Sequence, residues 1–474
     1  MEKSNLAILT MRIWTNLTQL FASLWKEAVA VPVFKRGDRA HLNNYHPMAL
    51  LSSVGKVCER VVYNKLYKFV SPFLTDQQSG FRRKDGTNLQ LIRLVQQWSK
   101  ALDDSKYVGT VFFDLRKAFD RVWHKGLLVK LEAAGVQGPA LSWFASYLSN
   151  RQQRTRVTNV VSSPSGLSSG VPQGAILSPL LFIIYVNDIV HATGASVNLF
   201  ADDTSAFLID SSPSSLAVRL QESVDSLSQW FDRWLLSVNI QKTAVMALRS
   251  IRQQQIQLSV SYKGEQIPQV RVHKHLGLTF NDSLTWEDHV NTISAKASQR
   301  IGLLRRYSKR LPPLSIQHFY CSAIRPALEY ASVAWCGLSS TASYSLERLQ
   351  RRAARLISGL PVRSDTPHDI ILARAGLQPL SSRRLVEQVV FAFRFLNETL
   401  PDHLLDNLQH WNSSKPARAT SLRNARKIRL PRAKKAVMKR SPFYLSMSAL
   451  NDCSDEVLSA VSPKSLRHFL LTRL

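Results

Sequence analysis

The chain is poor in acid. Against 62 Lys and Arg stand only 33 Asp and Glu, a formal net charge of +29 over 474 residues. A soluble domain has little reason to carry such self-repulsion without a polyanion to neutralise it. Nucleic acid is therefore the first candidate partner and an anionic membrane surface the second. Cysteine is scarce as well: Cys58, Cys321, Cys336 and Cys453 are widely spread and lack metal-ligand spacing, which points to a reducing compartment. No uninterrupted apolar run approaches the roughly 20 residues of a membrane span. The longest apolar stretch, Leu177 to Val190, is broken by Ser178, Pro179, Asn187 and Asp188 and reads as a core helix. The start shows no charged segment followed by an apolar core and cleavage site, and no internal repeat is visible. The expectation is an intracellular protein, nuclear or cytoplasmic, with no membrane partner.

What the chain does have is 45% hydrophobic residues, enough for two to four domains with real cores. A strand-like run, Val29 to Phe34, leads into the basic turn Lys35-Arg36-Gly37-Asp38-Arg39, and Asn44 to Leu51 is extended around Pro47. Val54, Val57, Cys58, Val61, Val62, Leu66 and Phe69 recur at helical spacing, predicting an amphipathic helix from Ser53 to Val70. The basic loop Gln78 to Lys84 precedes a second helix, Thr87 to Leu102; it reads either as solvated or as a phosphate contact. Further on, Gln152 to Val161 reads as a hairpin, and Val224, Leu227, Phe231, Trp234 and Leu235 mark a core-facing helix. Val245 to Leu248 and His273 to Phe280 are short strands, and from Trp286 the pattern is helical. There Leu346, Leu349, Ala353 and Leu356 form an apolar stripe opposite Arg348, Arg351, Arg352 and Arg355. Strands interleaved with paired helices predict an α+β layer, an antiparallel sheet with helices on one face. Lys415 to Arg440 holds eleven Lys and Arg and no acid, and reads as a poorly ordered basic arm.

The chemistry concentrates at two places. Val197 to Leu208 is an apolar run interrupted by Asp202-Asp203, and Gly109 to Leu115 is an apolar strand ending in Asp114. An Asp-Asp pair between apolar runs suits a tight hairpin with its carboxylates on the bend. Taken alone, such a pair is equally a solvated turn. Neighbouring strands of one sheet would bring the three carboxylates together, where their mutual repulsion favours a hard cation. Such a cluster suits two magnesium ions, the chemistry that activates a primer 3′-hydroxyl and stabilises leaving pyrophosphate. Gly170-Val171-Pro172-Gln173-Gly174 supplies glycines for close backbone approach to a nucleotide.

From about Leu20 to the basic tail the sequence resembles the reverse transcriptases of non-LTR retrotransposons of the Jockey/CR1-like kind. The motifs stand in that family's order: Phe113 to Val122, Ser169 to Gly174 with Leu177 to Phe182, Phe200 to Thr204, Asn239 to Thr243, and His275-Leu276-Gly277. The resemblance implies a right-hand polymerase with fingers, an antiparallel palm and a helical thumb, carrying a basic C-terminal extension. It implies RNA-directed DNA synthesis with Mg2+, deoxynucleoside triphosphates, an RNA template and a DNA primer. Asp114, Asp202 and Asp203 are implied as metal ligands and Lys242 as a catalytic proton donor near the triphosphate. Phe119 would exclude a ribose 2′-hydroxyl, and Gln173 with Gly174 would lie against nucleotide and template. Lys35, Arg39 and His46 would approach the phosphates. A core aromatic and an exposed structural lysine are the plain alternatives for Phe119 and Lys242.

The departures are specific. Tyr45-His46-Pro47 stands where the family usually has Tyr-Arg-Pro, and an imidazole lacks the forked phosphate contact of a guanidinium. Trp25-Lys26 follows Leu24 at once, without the usual Gly/Pro-containing connection. No endonuclease domain or zinc knuckle is apparent, so a separate endonuclease is a possible partner and a truncated element copy the expected source. The expected divisions are a truncated segment at 1–28, fingers and palm at 29–282 and a thumb-like region at 283–360. A basic extension would fill 361–474, partly disordered around 412–440. The alternatives are an element-derived nucleic-acid-binding protein with impaired catalysis, and a splicing-type maturase.

Overall fold

A computed structural model describes residues 21–35, 37–361, 365–397, 400–401, 430, 432–453 and 462–473. Strands β1 (Glu27–Phe34) and β2 (Tyr45–Leu50) precede helices α1 (Ser53–Val70) and α2 (Thr87–Asp103). Next come β3 (Tyr107–Phe113), α3 (His124–Ala133), α4 (Pro139–Leu148) and the outer strands β4 (Arg151–Val157), β5 (Val160–Val161) and β6 (Ser165–Leu167). Helix α5 (Ser178–Tyr185) leads to the hairpin β7 (Ser196–Phe200)–β8 (Asp203–Asp210), then α6 (Pro213–Arg233) and β9 (Ala244–Leu248). Two small hairpins follow, β10 (Ser261–Tyr262)–β11 (Glu265–Gln266) and β12 (Val272–His275)–β13 (Leu278–Asn281). The remaining long elements are helical: α7 (Glu287–Tyr307), α8 (Pro313–Phe319), α9 (Ser340–Ile357), α10 (Leu380–Leu396), α11 (Pro442–Asn451) and α12 (Pro463–Arg473).

The central sheet runs β7-β8-β3-β9 and is antiparallel throughout. Its strands are apolar on both faces, and both faces are covered. Val108 and Phe112 of β3 face one core, in which the ring of Trp98 on α2 meets Phe112, Phe207 and Phe280 edge-on at 5.4–6.5 Å. Val111 and Phe113 face the other, where Phe113 meets Phe231 of α6 at 5.6 Å. The expected layer with helices on one face is thus corrected. A sheet sandwiched this way needs no polar alternation, which explains the unbroken buried run from Val108 to Phe113.

Helix α1 has the expected ends but a different buried face. Gly55, Glu59, Val62, Leu66, Tyr67 and Val70 are buried, while Val54, Val57 and Val61 are exposed. The cause is Glu59. Its carboxylate accepts the backbone N–H groups of Ile176 at 2.6 Å and Leu177 at 3.3 Å and the Tyr147 hydroxyl at 3.2 Å. Those amides are donors at the start of α5 with no partner inside the helix, so a buried anion there satisfies them and complements the helix dipole. Leu235, expected on the core-facing stripe of α6, is exposed, with a left-handed backbone that ends the helix.

The helices beyond residue 361 share one core with the preceding helical region: Val386, Phe391 and Phe393 of α10 and Phe443, Met447 and Leu450 of α11 belong to the cluster that holds Leu346 and Ala353 of α9. The basic arm differs from expectation where it is described. The backbone amides of Lys434 and Lys435 donate to the buried Asp103 carboxylate at 2.6–3.2 Å, which pins the segment to the end of α2. Residues 412–429 lie outside the described residues. Among the described residues no helix is long and apolar enough to cross a membrane.

Candidate active site

The sheet register brings the carboxylates together. Phe113 of β3 pairs with Thr204 of β8, so the next residues on the two chains are Asp114 and Asp203. The β7–β8 turn closes on the Phe200–Asp203 pair and leaves Ala201 and Asp202 as its two tip residues. Ala201 is left-handed, with φ of 56°. Asp202 and Asp203 expose much of their surface at this tip. Surrounding protein nevertheless withdraws water from the carboxyls. Burial pushes Asp203 up to about 6, with the Asp202 and Asp114 charges adding to it. Burial likewise raises Asp202, helped by Asp114 and partly offset by Lys35 and His46.

Asp114 is held from the far side of the sheet. Its backbone carbonyl accepts the Asn239 N–H at 2.7 Å, and its own N–H reaches the Thr243 hydroxyl at 3.3 Å. Asn239 also donates its side-chain amide to Asp114 Oδ2 at 3.1 Å. The loop after β3 then turns through left-handed Lys117 into a short 3-10 helix, Ala118–Arg121. Phe119 on that turn stacks on Phe182 of α5 at 4.4 Å and is edge-on to Phe81.

The segment 170–174 lies against this turn. Val171 N–H donates to the Phe119 carbonyl, and Gly170 N–H to that of Val122, both at 2.8 Å. Gln173 Nε2 donates to Asp120 Oδ1 at 2.8 Å, and the Gln173 carbonyl accepts the Ala49 N–H of β2 at 2.8 Å. Gly174 has φ of 127°, and a Cβ there would strike the Ala49 carbonyl, so only glycine fits.

These elements surround one cavity of about 1060 Å3, roomy enough for a nucleotide against a template base. Asp114, Asp202, Lys242, Lys35 and His46 line it, as do Phe119, Gln173 and Gly174. Two expected residues do not. Asp203 joins the carboxylate group from the edge of the turn without lining the cavity. Arg39 sits on an exposed turn, its guanidinium 5.1 Å from the Phe34 ring centre, so it is not part of this wall. The loop 78–84 also differs from a phosphate contact at its start: Gln78 and Ser79 are buried, and Arg82 donates to the carbonyls of Leu74 and Thr75.

Sequence reasoning gave no role to Asn239, Asp120 or Gln78. Asn239 stands in a quoted motif, but its partner is 125 residues away and only the fold reveals the bond. Among the described residues no three His, Cys, Asp or Glu form a ready-made metal cage. The donor set still fits a hard divalent cation: all-oxygen, anionic, and charge-strained without one. Mg2+ is typically bound through one or two carboxylates, with substrate phosphates completing the shell.

The sequence profile of the reverse transcriptase (RNA-dependent DNA polymerase) family matches residues 33–280. The chain belongs to this family. Its antiparallel sheet β7-β8-β3-β9 lies within the matched residues. The sequence is 31% identical over 367 residues to the probable RNA-directed DNA polymerase from transposon BS of Drosophila melanogaster, covering 74% of this chain and 40% of the relative. It is 29% identical over 356 residues to the RNA-directed DNA polymerase from mobile element jockey of the same organism, covering 72% of this chain and 38% of that one. The chain thus spans about two fifths of the length of these relatives. Among solved structures, the apo telomerase from Candida tropicalis superposes with a TM-score of 0.42 at 11% identity, over 85% of this chain and 73% of that one. Residues from four of the five motif segments line the cavity, and none of His275-Leu276-Gly277 does.

Proposed function

We propose that the chain copies RNA into DNA, joining deoxynucleotides to a primer 3′-hydroxyl at the Asp114–Asp202 cavity with Mg2+. The observation that carries the reading is the convergence of Asp114 and Asp202, from separate strands, on the cavity that Phe119, Gln173 and Lys242 also line. In the reaction the 3′-oxygen forms a bond to the α-phosphorus, the bond from that phosphorus to the bridging oxygen breaks, and pyrophosphate leaves. Bound divalent metal supplies charge neutralisation and an activated primer oxygen.

The protein's own part is orientation. Asp114 and Asp202 hold oxygen ligands on adjacent strands, and Asp203 adds charge beside them. Lys35 and His46 supply positive and hydrogen-bonding groups on the wall formed by the β1–β2 region, where a triphosphate would lie. Lys242 donates a proton toward the leaving pyrophosphate. Phe119, fixed against Phe182, closes the space a ribose 2′-hydroxyl would need. Gln173, braced by Asp120, forms part of the wall beside the base pair. The net positive charge serves the template–primer duplex, whose phosphates it neutralises.

In this reading 29–282 forms fingers and palm, 283–360 the thumb, and 361–474 an extension whose described helices 380–396 and 442–451 share the thumb's core. The test is primer extension by purified protein on an RNA template with deoxynucleotides and Mg2+. RNA-templated product that requires both template and metal supports the reading; tight binding of the duplex without extension opposes it.

A further inference from the structure

Gln78 does not line the cavity, yet it touches the turn that carries Asp202. The segment 77–80 runs along the free edge of β7: Ser79 N–H donates to the Leu199 carbonyl and Leu199 N–H to the Gln77 carbonyl, each at 2.9 Å. This places the Gln78 side chain, 1% exposed, under the hairpin tip. Its Oε1 accepts two backbone amides, Gly80 N–H at 2.8 Å and Ala201 N–H at 3.1 Å. Its Nε2 has no partner among the described residues, so the amide is present for its oxygen. Ala201 adopts the left-handed backbone that a residue with a Cβ resists, and the turn has no glycine of its own. A Cβ at Gly80 would collide with the Ala201 nitrogen, so the close approach depends on glycine there.

The bracket is itself anchored. Arg93 of α2, 4% exposed, donates to the Asp76 carbonyl at 2.8 Å and to Asn198 Oδ1 of β7 at 2.9 Å. One buried guanidinium thereby ties the bracket and the hairpin strand to the same helix. Removing the Gln78 oxygen would leave the buried Ala201 N–H without an acceptor, and an unpaired buried donor is costly. The tip would relax from its left-handed conformation and carry Asp202 with it.

We infer that Gln78 is a positioning residue for metal binding, holding the Ala201–Asp202 turn so that Asp202 faces Asp114 across the cavity. The inference rests on the polymerase reading of that cavity. Gln78 lines no part of it and acts only through the turn.

The test combines Gln78→Met, which removes the acceptor at similar volume, with Ala201→Gly, which permits the left-handed turn without help. Mn2+ binding is titrated by electron paramagnetic resonance on full-length protein with primer–template and deoxynucleotide, alongside primer extension and thermal unfolding. Gln78→Met is expected to weaken Mn2+ binding at least tenfold and to lower kcat at least tenfold, with nucleotide KM within threefold of the parent. In the Ala201→Gly background the same substitution should cost less than threefold in Mn2+ affinity, a coupling expected of residues that act through one turn. Equal Mn2+ affinity of parent and Gln78→Met would overturn the inference. So would an equal loss in both backgrounds, or unfolding in both, since each marks a general core requirement. The parent separates the two readings. A parent that extends primers while Gln78→Met binds Mn2+ normally defeats only the Gln78 role, whereas a folded parent that neither extends nor loses Mn2+ on Asp202→Asn defeats the polymerase reading.

Discussion

Asn239 holds Asp114 twice, by a side-chain amide donated to Oδ2 at 3.1 Å and by its backbone N–H donated to the Asp114 carbonyl at 2.7 Å. The second bond fixes where the strand ends; the first fixes which way the carboxylate points. Because Lys242 follows on the same loop, the proposed proton donor and a proposed metal ligand share one support. Asn239→Ala keeps the backbone bond and removes only the orienting one. A hydrogen bond to a charged group is worth about 1.5–3 kcal/mol, so kcat for extension should fall roughly tenfold to a hundredfold with little change in duplex affinity. Asn239→Asp should be worse, because it sets a like charge against Asp114. Steady-state extension with the two variants checks this; parental kcat in Asn239→Ala would remove Asn239 from the site.

Asp203 gives a pH signature in metal-free protein. Its folded value of about 6 lies above the ordinary carboxylate range, so between about pH 4 and 6 the native state binds more protons than the unfolded state. Stability from this group therefore falls as pH rises through that window and stays reduced above it. Asp203→Asn removes the penalty. In EDTA at pH 7.5 it should raise stability by ~1 kcal/mol, allowing for solvent screening at the exposed tip, with no gain at pH 4. Thermal melts across pH 4 to 8 test the sign. A variant that is less stable than the parent at pH 7.5 contradicts the charge strain.

How much of this was readable in advance depends on whether a residue's partner is local. Asp114 and Asp202 were legible because each ends or interrupts an apolar strand, and the sheet then has few ways to place them. The ends of α1 were legible from period alone; the cap, the Ser52 hydroxyl that accepts the Gly55 N–H, is seen only in the structure. Its buried face was not, because Glu59 reads as a surface residue until the start of α5 arrives from more than a hundred positions away. Gln78 was hidden among the basic residues that follow it, and Asp103 gave no sign that Lys434 and Lys435 would return to it.

Phe119 tests sugar selection. It is fixed by stacking on Phe182 at 4.4 Å, so a smaller side chain leaves a gap on the cavity wall that its neighbours do not fill. Phe119→Val should lower the preference for deoxy- over ribonucleotides by at least tenfold. The measurement is the ratio of the two kcat/KM values. An unchanged ratio, with the variant folded, would make Phe119 a packing residue alone.

His46 lines the cavity on β2, and its charge acts on Asp202. An arginine there would add a forked, charge-assisted contact to the triphosphate. His46→Arg should lower the nucleotide KM about tenfold, in line with a gain of ~1.5 kcal/mol, and leave duplex affinity unchanged. KM at fixed Mg2+ is the readout. Equal KM values would place the phosphates elsewhere on the wall.

Metal-dependent nucleotidyl transfer at the Asp114–Asp202 cavity, as proposed, is tested by one paired measurement. Extension of a DNA primer on an RNA template is compared for the parent and Asp202→Asn, with duplex binding measured on the same samples. Expected are RNA-templated product from the parent, a loss of several orders of magnitude in Asp202→Asn, and nearly equal duplex affinity. Extension by Asp202→Asn at a rate near the parent's would contradict the proposal.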